Sequence, residues 1–488
     1  MSVRQDVQQV SAIGAFALAK LVFHTLVNRG YGFHRDELAT LDDARHLAAG
    51  YVAYPPLTPF LGRIELLLFG ESLAGFRFFA ALAQSIAIVL AAVLAQRLGG
   101  DRRAQWLAAL AVAISPVSLS ASSLFQYVSF DYLWWVVIAF LVVRLVESDD
   151  GRWWLAIGAA IGLGFLTKYT ILFLVAGLLA GMVLTPLRRH LATIWPWAGA
   201  LVALLVAAPN VIWQIQHDFI SLDMLRHIHE RDVRIGRTDH FLLNQLFVPA
   251  NLVTIPLWIA GLIALFRSRF RVLAWMAVVP FLLFLLARGR DYYTAPIYPM
   301  LFAAGSLWLA RRKFVFVTAV VLFVLSGALM AALILPMAPA GTRWWHRALE
   351  TNGDLREEIG WPEMVTEVAR VWNTIPPAER RTTAIYCANY GEAGAVNLYG
   401  PKHGLPPAIS AINSFWARGY GNPPPETVIV LGGRPERLRE RFESVVLAGH
   451  VPNPLRVENE EAEHPDIYVC RKPRQGWGEV WPTMRRFG

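Results

Sequence analysis

The sequence predicts a mainly α-helical membrane bundle of about eleven spans, followed by a C-terminal extracytoplasmic α/β domain. Of its 488 residues, 55% are hydrophobic and only 17% are charged, whereas soluble globular proteins carry about 25% charged residues. A chain this apolar needs lipid around most of its length. The composition therefore excludes a soluble enzyme, a disordered scaffold and a disulfide-rich secreted module. A change to polar composition near Pro336 marks the second part.

The predicted spans are apolar runs that approach the roughly 20 residues needed to cross the hydrocarbon. They are 10–27, 72–98, 104–124, 132–146, 153–166, 170–187, 191–211, 246–266, 272–287, 294–310 and 314–335. Arginines concentrate in every second connecting loop, which places those loops in the cytoplasm and the C-terminal part outside. This pattern also accounts for the net charge of +9 without a nucleic-acid partner.

We divide the chain into a membrane domain, 1–337, and an extracytoplasmic α/β domain, 338–488. In the second domain the sequence indicates helices at 361–373 and 434–442, and strands at 382–387, 427–431, 444–447 and 467–470. Cys387 and Cys470 lie in two of these strands. A disulfide is possible outside the cell, but two buried strand cysteines are the favoured interpretation.

The first outer loop, 28–71, carries the most informative residues. Helical spacing over 35–49 places Asp36 and Glu37 in a first turn, and Gly50 is a suitable helix end. Adjacent carboxylates at a membrane surface can supply a general base and a supporting acid. Acidic residues in a first turn also complement the helix dipole, so spacing alone leaves both interpretations open. A following amphipathic helix, 57–68, is predicted to lie in the interface as a scaffold.

Further charged residues occur at the outer ends of predicted spans. Asp131 begins one span and is either a helix N-cap or part of a shared cavity with Asp36. Lys168 falls between two spans, and Arg288 and Arg290 precede an outer tyrosine pair. Such cations either extend harmlessly to the interface or hold a phosphate at headgroup level.

Together these residues resemble the polyprenol-phosphate-sugar-dependent glycosyltransferases of the GT-C class, and in particular glycosyltransferase family 39. That family includes protein O-mannosyltransferases and aminoarabinose transferases of lipid A. The matching motifs are Asp36-Glu37, Pro55-Pro56-Leu57, Phe130-Asp131, the Leu-Thr-Lys168 turn and Tyr292-Tyr293 with Pro299. The aminoarabinose branch has lysine before the two prolines, where this chain has Tyr54.

The resemblance implies transfer of a sugar, with inversion, from a polyprenyl-phosphate donor to an acceptor hydroxyl of a protein, glycolipid or glycan outside the cytoplasmic membrane. Asp36 is then the general base, and Glu37 or Asp131 orients it or binds sugar hydroxyls. Lys168 and Arg290, with Arg288, bind the departing phosphate. The residues expected to contact substrate are His34, Arg35, Tyr54, Tyr292 and Tyr293.

Two cations facing a monophosphate can replace a divalent metal, so we expect no obligatory metal, although a divalent ion is possible. The expected partners are the lipid-linked sugar, the acceptor and membrane lipids. Two other functions remain open at this point. A sugar-lipid transporter or flippase would place charges near the midplane and often show two related halves. A non-catalytic lipid-sugar sensor would keep binding after loss of Asp36.

Overall fold

The computed structural model describes the backbone of residues 3–488 and the side chains of residues 11–488. Met1 and Ser2 of the predicted membrane domain lie outside the described residues. The helices of the first part are Val3–Val27, Arg35–Arg45, Leu57–Phe69, Leu73–Phe76, Phe78–Arg97, Arg102–Ala113, Pro116–Ala121, Tyr127–Ser148, Trp153–Phe165, Ile171–Leu184, Trp195–Gln216, Ile220–Arg234, Phe241–Asn244, Ile255–Phe266, Arg271–Leu286, Tyr298–Leu309 and Lys313–Ile334. Short 3-10 turns cover Pro186–Ala192, Leu252–Thr254 and Asp291–Ile297.

Fewer helices are long enough to span a membrane than the sequence predicts. In the part of the chain that the structure describes, four helices are long and apolar enough to cross a membrane, or five if a sharply bent pair counts as one span. Several predicted runs are interrupted. The run 72–98 breaks at Arg77, and the run 104–124 breaks at Ser115, before Pro116, whose missing N–H cannot continue a helix. The predicted count of eleven is therefore not confirmed.

The bundle packs closely where small residues meet. Helices Trp153–Phe165 and Trp195–Gln216 touch at Gly158 and Gly199, and a Cβ on Gly158 would lie 2.0 Å from the Gly199 carbonyl oxygen. Only glycine allows this backbone approach, which is typical of membrane helices. Many of the helical side chains farther along Trp195–Gln216 point away from the protein, as expected for a lipid-facing surface.

The interfacial helix is Leu57–Phe69, close to the predicted 57–68. Its apolar stripe faces outward, with Leu67 72% exposed. Glu65 is instead buried and its carboxylate accepts a hydrogen bond of 2.5 Å from the Phe79 backbone N–H. The apolar side chains are thus available to lipid, while the one acid fixes the helix to the bundle.

The C-terminal part folds around a five-stranded sheet. Its strands are β1 (Thr383–Cys387), β2 (Ala408–Ser410), β3 (Thr427–Leu431), β4 (Phe442–His450) and β5 (Asp466–Pro473), in the spatial order β2-β1-β3-β5-β4. The first three are parallel, and β5 is antiparallel to both β3 and β4. The accompanying helices are Arg343–Thr351, Trp361–Asn373, Tyr390–Tyr399, Asn413–Ala417, Pro435–Arg441, Glu460–Glu463 and Trp477–Met484, with 3-10 turns at Gly353–Glu358, Arg380–Thr382 and Gly400–His403.

The predicted small α/β unit is therefore present. Cys387 and Cys470 are buried free thiols in β1 and β5, as the favoured interpretation held. β2 and the helix Tyr390–Tyr399 were not predicted.

The first outer loop and the C-terminal part share one hydrophobic core. Leu38 and Leu41 of helix Arg35–Arg45 are buried together with Val365 and Ile385 of the C-terminal part. Gly394 makes this contact possible, since a Cβ there would lie 2.7 Å from the Leu38 carbonyl oxygen. The candidate catalytic helix is consequently held by both parts of the chain.

That helix ends at Arg45 rather than at the predicted residue 49. The hydroxyl of Tyr51 donates toward the carbonyls of Asp43 and His46 at 3.1 and 3.2 Å and accepts from the Ala48 N–H at 3.0 Å. These bonds replace the intrahelical ones that a further turn would form.

Candidate functional site

Asp36 lies in the first turn of helix Arg35–Arg45 with its carboxylate held on both oxygens. Oδ1 accepts a hydrogen bond of 2.7 Å from the hydroxyl of Tyr390. Oδ2 accepts a hydrogen bond from the side-chain amide of Gln126. The carboxylate still keeps 36% of its side-chain surface exposed, so it is fixed in direction and accessible from outside.

The charge state of Asp36 follows from its neighbours. Burial by itself raises the pKa of this carboxyl, but His34, Arg35, the Tyr390 hydrogen bond and Arg290 together lower the pKa below its ordinary value. Nearby positive charge and a donated hydrogen bond both favour the ionised form. Asp36 is therefore a carboxylate, able to accept a proton, across the neutral range.

Glu37 has a different environment from its neighbour in sequence. It is fully buried, and its two oxygens accept from the Arg77 guanidinium at 2.7 and 2.8 Å and from the backbone N–H groups of His34 and Phe125 at 2.9 and 2.7 Å. A carboxylate offers about four acceptor positions, and these four bonds occupy them. The structure thus separates the predicted pair. The Asp36 carboxylate is partly exposed, whereas the buried Glu37 carboxylate joins three segments of the fold through His34, Arg77 and Phe125.

His34 and Tyr54 also have structural partners. His34 is the N-cap of the helix, since its Nδ1 accepts from the Asp36 N–H at 3.1 Å. The Tyr54 hydroxyl donates to the carboxylate of Asp43 at 2.6 Å. Both side chains, predicted to contact substrate, therefore have hydrogen bonds that hold the loop itself.

Lys168 lies in a cage of aromatic rings. Its ammonium is 4.3 Å from the ring centre of Tyr293 and 5.1 Å from those of Tyr127 and Tyr292. Ring faces attract a cation without using its N–H donors in conventional hydrogen bonds. The predicted site residues Lys168, Tyr292 and Tyr293 are thus brought together.

Asp131 lies near this cage, because its charge interacts with that of Lys168. Its carboxylate accepts hydrogen bonds from Trp135 at 3.1 Å and from Thr170 at 3.0 Å, two residues beyond Lys168 in the chain. Asp131 is buried, whereas Asp36 is partly exposed. Its burial and its charge interaction with Lys168 suit a residue that supports the cation rather than one that meets an acceptor.

Two consecutive residues connect the acid and the cation. Gln126 binds the Asp36 carboxylate, and the next residue, Tyr127, contacts Lys168 through its ring. Arg290 adds to the same region, because its charge contributes to the lowered pKa of Asp36. The predicted base and the predicted phosphate-binding cations therefore belong to one connected group of side chains.

Arg290 is held by an acid that the sequence interpretation did not include. Its Nε lies 2.5 Å from the buried carboxylate of Asp232, which Arg231 and Arg237 also approach. Arg288 instead points to the surface. Its side chain is 56% exposed and pairs with Asp239 at 3.1 Å, so the structure does not bring it into the Lys168 cage.

Several residues of this site were missed because their partners are distant in sequence. Tyr390 lies 354 residues from Asp36, and Arg418 of the C-terminal part forms ion pairs with Asp42 and Asp43. A tyrosine or an arginine in a polar domain carries no sequence signal for such a contact. Arg77, which interrupts an apolar run, was the one signal available, because a charge at membrane depth usually has a partner.

In the described residues there is no group of three or more histidine, cysteine or acidic side chains arranged to hold a metal ion. The expectation that no metal is obligatory remains a prediction.

Residues 53–213 match the model of the dolichyl-phosphate-mannose-protein mannosyltransferase family, PMT_2. This segment includes Asp131 and Lys168 and begins after Asp36. The crystal structures of ArnT from Cupriavidus metallidurans, in the apo state and bound to undecaprenyl phosphate, share the fold with a TM-score of 0.61. The apo structure is 15% identical in sequence, and the likeness covers 95% of this chain and 98% of that one.

The predicted resemblance to GT-C glycosyltransferases is confirmed by these matches. Two relatives agree with this resemblance. The lipid A galacturonosyltransferase RgtD of Rhizobium johnstonii is 27% identical over 67% of this chain and 70% of its own length. An undecaprenyl phosphate-α-4-amino-4-deoxy-L-arabinose arabinosyl transferase of Pseudomonas fluorescens is 33% identical over 29% of this chain and 27% of its own length. The chain is accordingly a membrane glycosyltransferase that uses polyprenyl-phosphate sugars, and the predicted resemblance and reaction class are confirmed.

Proposed function

We propose that this GT-C glycosyltransferase moves a sugar from a polyprenyl-phosphate donor to a hydroxyl of a cell-envelope lipid, in one inverting displacement. The observation that carries this proposal is one connected group of side chains, in which the partly exposed Asp36 carboxylate is joined to the caged cation Lys168 through Gln126 and Tyr127. The names of the two relatives support a lipid-linked sugar and a lipid A-like acceptor.

Asp36 acts as the general base in this proposal. Its lowered pKa keeps it ionised at neutral pH, and its exposure lets an acceptor hydroxyl come within hydrogen-bond distance. A base in position typically contributes about 10²–10⁴-fold to the rate. As the acceptor oxygen attacks the anomeric carbon, the bond from that carbon to the phosphate oxygen breaks. The hydroxyl proton passes to Asp36.

Lys168 and Arg290 stabilise the phosphate that leaves. Negative charge grows on its oxygens in the transition state, and fixed cations at that position lower the barrier. Lys168 contributes a point charge and Arg290 a planar fork. The three tyrosine rings around Lys168 hold the ammonium in place and the charge of Asp131 attracts it, so little reorganisation accompanies the reaction.

The substitution of Tyr54 for lysine separates this chain from the aminoarabinose branch. Because the Tyr54 hydroxyl is bonded to Asp43, it does not replace a phosphate-binding lysine. We propose that Lys168 and Arg290 provide the phosphate contacts in this chain. The names of the relatives support a lipid A-type acceptor. The panel of donors in the experiment below identifies the sugar.

The experiment uses purified protein in proteoliposomes with a panel of radiolabelled polyprenyl-phosphate sugars and a cell-envelope lipid extract. We expect labelled lipid product from the parent and a rate lower by about 10²–10⁴-fold from Asp36→Asn. The matched control is Asp223→Asn, which removes an exposed acid on helix Ile220–Arg234 and leaves transfer unchanged. Equal transfer by Asp36→Asn and the parent would reject Asp36 as base. No product from any donor would reject the proposed reaction with those donors.

We also propose that the Asp36–Lys168 site and the C-terminal part face the extracytoplasmic side. Both native cysteines are buried, so a single introduced cysteine at exposed Lys402 can be labelled selectively in intact cells. An impermeant maleimide should label it, and should not label a cysteine introduced at exposed Arg188, in a predicted cytoplasmic loop. The reverse pattern would overturn the orientation.

A further inference from the structure

We propose that Tyr390 of the C-terminal α/β part is a positioning residue for Asp36, so that this part completes the catalytic site rather than only covering it. The inference rests on the proposed function of Asp36. Its central observation is the 2.7 Å hydrogen bond that the Tyr390 hydroxyl donates to Asp36 Oδ1. Gln126, from the membrane part, binds the other oxygen, so the base is clamped between the two parts of the chain.

The Tyr390 ring is itself held on several sides. Tyr390 begins a helix whose N-cap, Asn389, forms a reciprocal capping box with Glu392. The Arg35 guanidinium lies over the ring, 4.6 Å from its centre. Arg35 in turn pairs with Glu460 and approaches Glu357 at 3.9 Å. A side chain fixed in this way presents its hydroxyl in one direction.

The helix that carries Tyr390 is also docked unusually closely. A Cβ on Gly391 would lie 2.9 Å from the Cβ of Arg35, and one on Gly394 would lie 2.7 Å from the backbone of Leu38. Larger residues at these two positions would push the Tyr390 helix away from Arg35 and Leu38. The hydrogen bond between Tyr390 and Asp36 would then be lengthened or broken. The two glycines thus allow the close approach that lets Tyr390 reach Asp36.

The chemistry of the bond favours the role of Asp36 as base. Burial and the neighbouring Asp36 raise the pKa of Tyr390, which keeps its proton on the phenol oxygen and makes it a permanent donor. A donor on Oδ1 stabilises the ionised carboxylate and restricts its rotation. The acceptor hydroxyl then meets a fixed lone pair, and geometry held in advance contributes directly to the rate.

A pH measurement can separate this role from simple support of the fold. The titratable and charged groups facing Asp36 are His34, Arg35, Tyr127, Arg290, Glu357 and Tyr390. Tyr390→Phe removes one hydrogen bond that lowers the Asp36 pKa and leaves the others and the ring in place. The acidic limb of the rate profile, which reports protonation of the base, should therefore move to higher pH.

The test compares Tyr390→Phe with Tyr399→Phe, a hydroxyl deletion on the same helix, in full-length protein in proteoliposomes. For Tyr390→Phe we expect kcat at neutral pH to fall about 10- to 100-fold, the range for loss of a hydrogen bond to a charged group. The KM for the donor lipid should stay within about twofold, because the phosphate contacts are unchanged. Tyr399→Phe should keep the kcat and pH profile of the parent.

The outcomes distinguish this inference from the proposed function. If the parent transfers sugar, Asp36→Asn does not, and Tyr390→Phe keeps the parental kcat and acidic limb, the positioning role is overturned and the function stands. A loss of kcat with an unmoved acidic limb and a lowered unfolding temperature would also overturn it, since only folding would be affected. If the parent itself transfers no sugar, the proposed function fails and this inference with it.

Discussion

Replacing Arg77 with methionine should destabilise the protein by about 3 kcal/mol, the low end of the cost of breaking a buried ion pair. Arg77 is fully buried at a break in an apolar run and binds three segments. Its guanidinium donates to Glu37 at 2.7 and 2.8 Å, to the Gly32 carbonyl at 2.9 Å, and lies 3.3 Å from Glu358. Methionine fills a similar volume and removes every one of these contacts.

The size of the expected stability loss depends on the partners that Glu37 and Glu358 keep once Arg77 is replaced. Removing one partner of a buried pair costs about 3–5 kcal/mol, because the other charge is left unpaired. Glu37 retains two backbone N–H donors, from His34 and Phe125, and hydrogen bonds to a charged group contribute about 1.5–3 kcal/mol each. Glu358 can take up a proton, since burial raises its pKa to about 8. Both effects favour the lower end of the range.

The assay is reversible unfolding of the purified protein in mixed detergent micelles, followed by tryptophan fluorescence. The matched control is Arg370→Met, which breaks an ion pair with Glu367 at the surface of the C-terminal part and should change stability little. The free energy of unfolding of Arg77→Lys should lie between those of Arg77→Met and the parent, because lysine keeps the charge but lacks the planar guanidinium. Equal stability of Arg77→Met and the control would refute the view that this buried network ties the catalytic loop to the C-terminal part.

Three further predictions concern the phosphate site, the domain contact and pH. Lys168→Gln should lower kcat by about 10²–10³-fold, as expected for loss of a cation that stabilises the transition state. The control Lys313→Gln, at an exposed position, should keep the parental kcat. Equal rates for the two variants in the transfer assay would remove Lys168 from the site. Arg418→Ala removes the guanidinium that pairs with two buried aspartates, Asp42 and Asp43, so limited proteolysis should release the C-terminal part faster than in the parent. Burial raises the pKa of Glu358 to about 8 in the folded protein, whereas unfolded glutamate loses its proton near 4.5. The protonated Glu358 therefore stabilises the fold at low pH, and this stabilisation is lost as the pH rises from about 4.5 to about 8. Glu358→Gln should flatten this fall in a stability series from pH 5 to 9, and an unchanged slope would contradict it.

The strands of the C-terminal part show how far local sequence patterns reach. The predicted strand 427–431 coincides with β3, and the predicted helix 361–373 coincides with Trp361–Asn373. The helix is amphipathic and the strand is an unbroken run rich in β-branched residues, so local preference and burial agree in both. β2 has only three residues, too few for a period to appear.

The helix Tyr390–Tyr399 illustrates the opposite case. Gly391 and Gly394 lower its local helix preference, so the sequence gives little indication of a helix. The same glycines are needed for the close approach to Arg35 and Leu38. Tertiary packing therefore overrides the local preference here, and the residue that this helix delivers to Asp36 could not be found from sequence.

Local properties of the chain are enough to predict the membrane character and the residue types of the site. Composition and the order of apolar runs indicate a membrane protein, and short motifs such as Asp36-Glu37 and Leu-Thr-Lys168 carry the family resemblance that implies the reaction class. The packing of distant elements, in contrast, sets which carboxylate of the pair is partly exposed. It assigned Glu37 to Arg77, forty residues away, and Asp36 to Tyr390, 354 residues away. Partners at such separations are chosen by how the elements pack, and a local pattern holds no record of that packing.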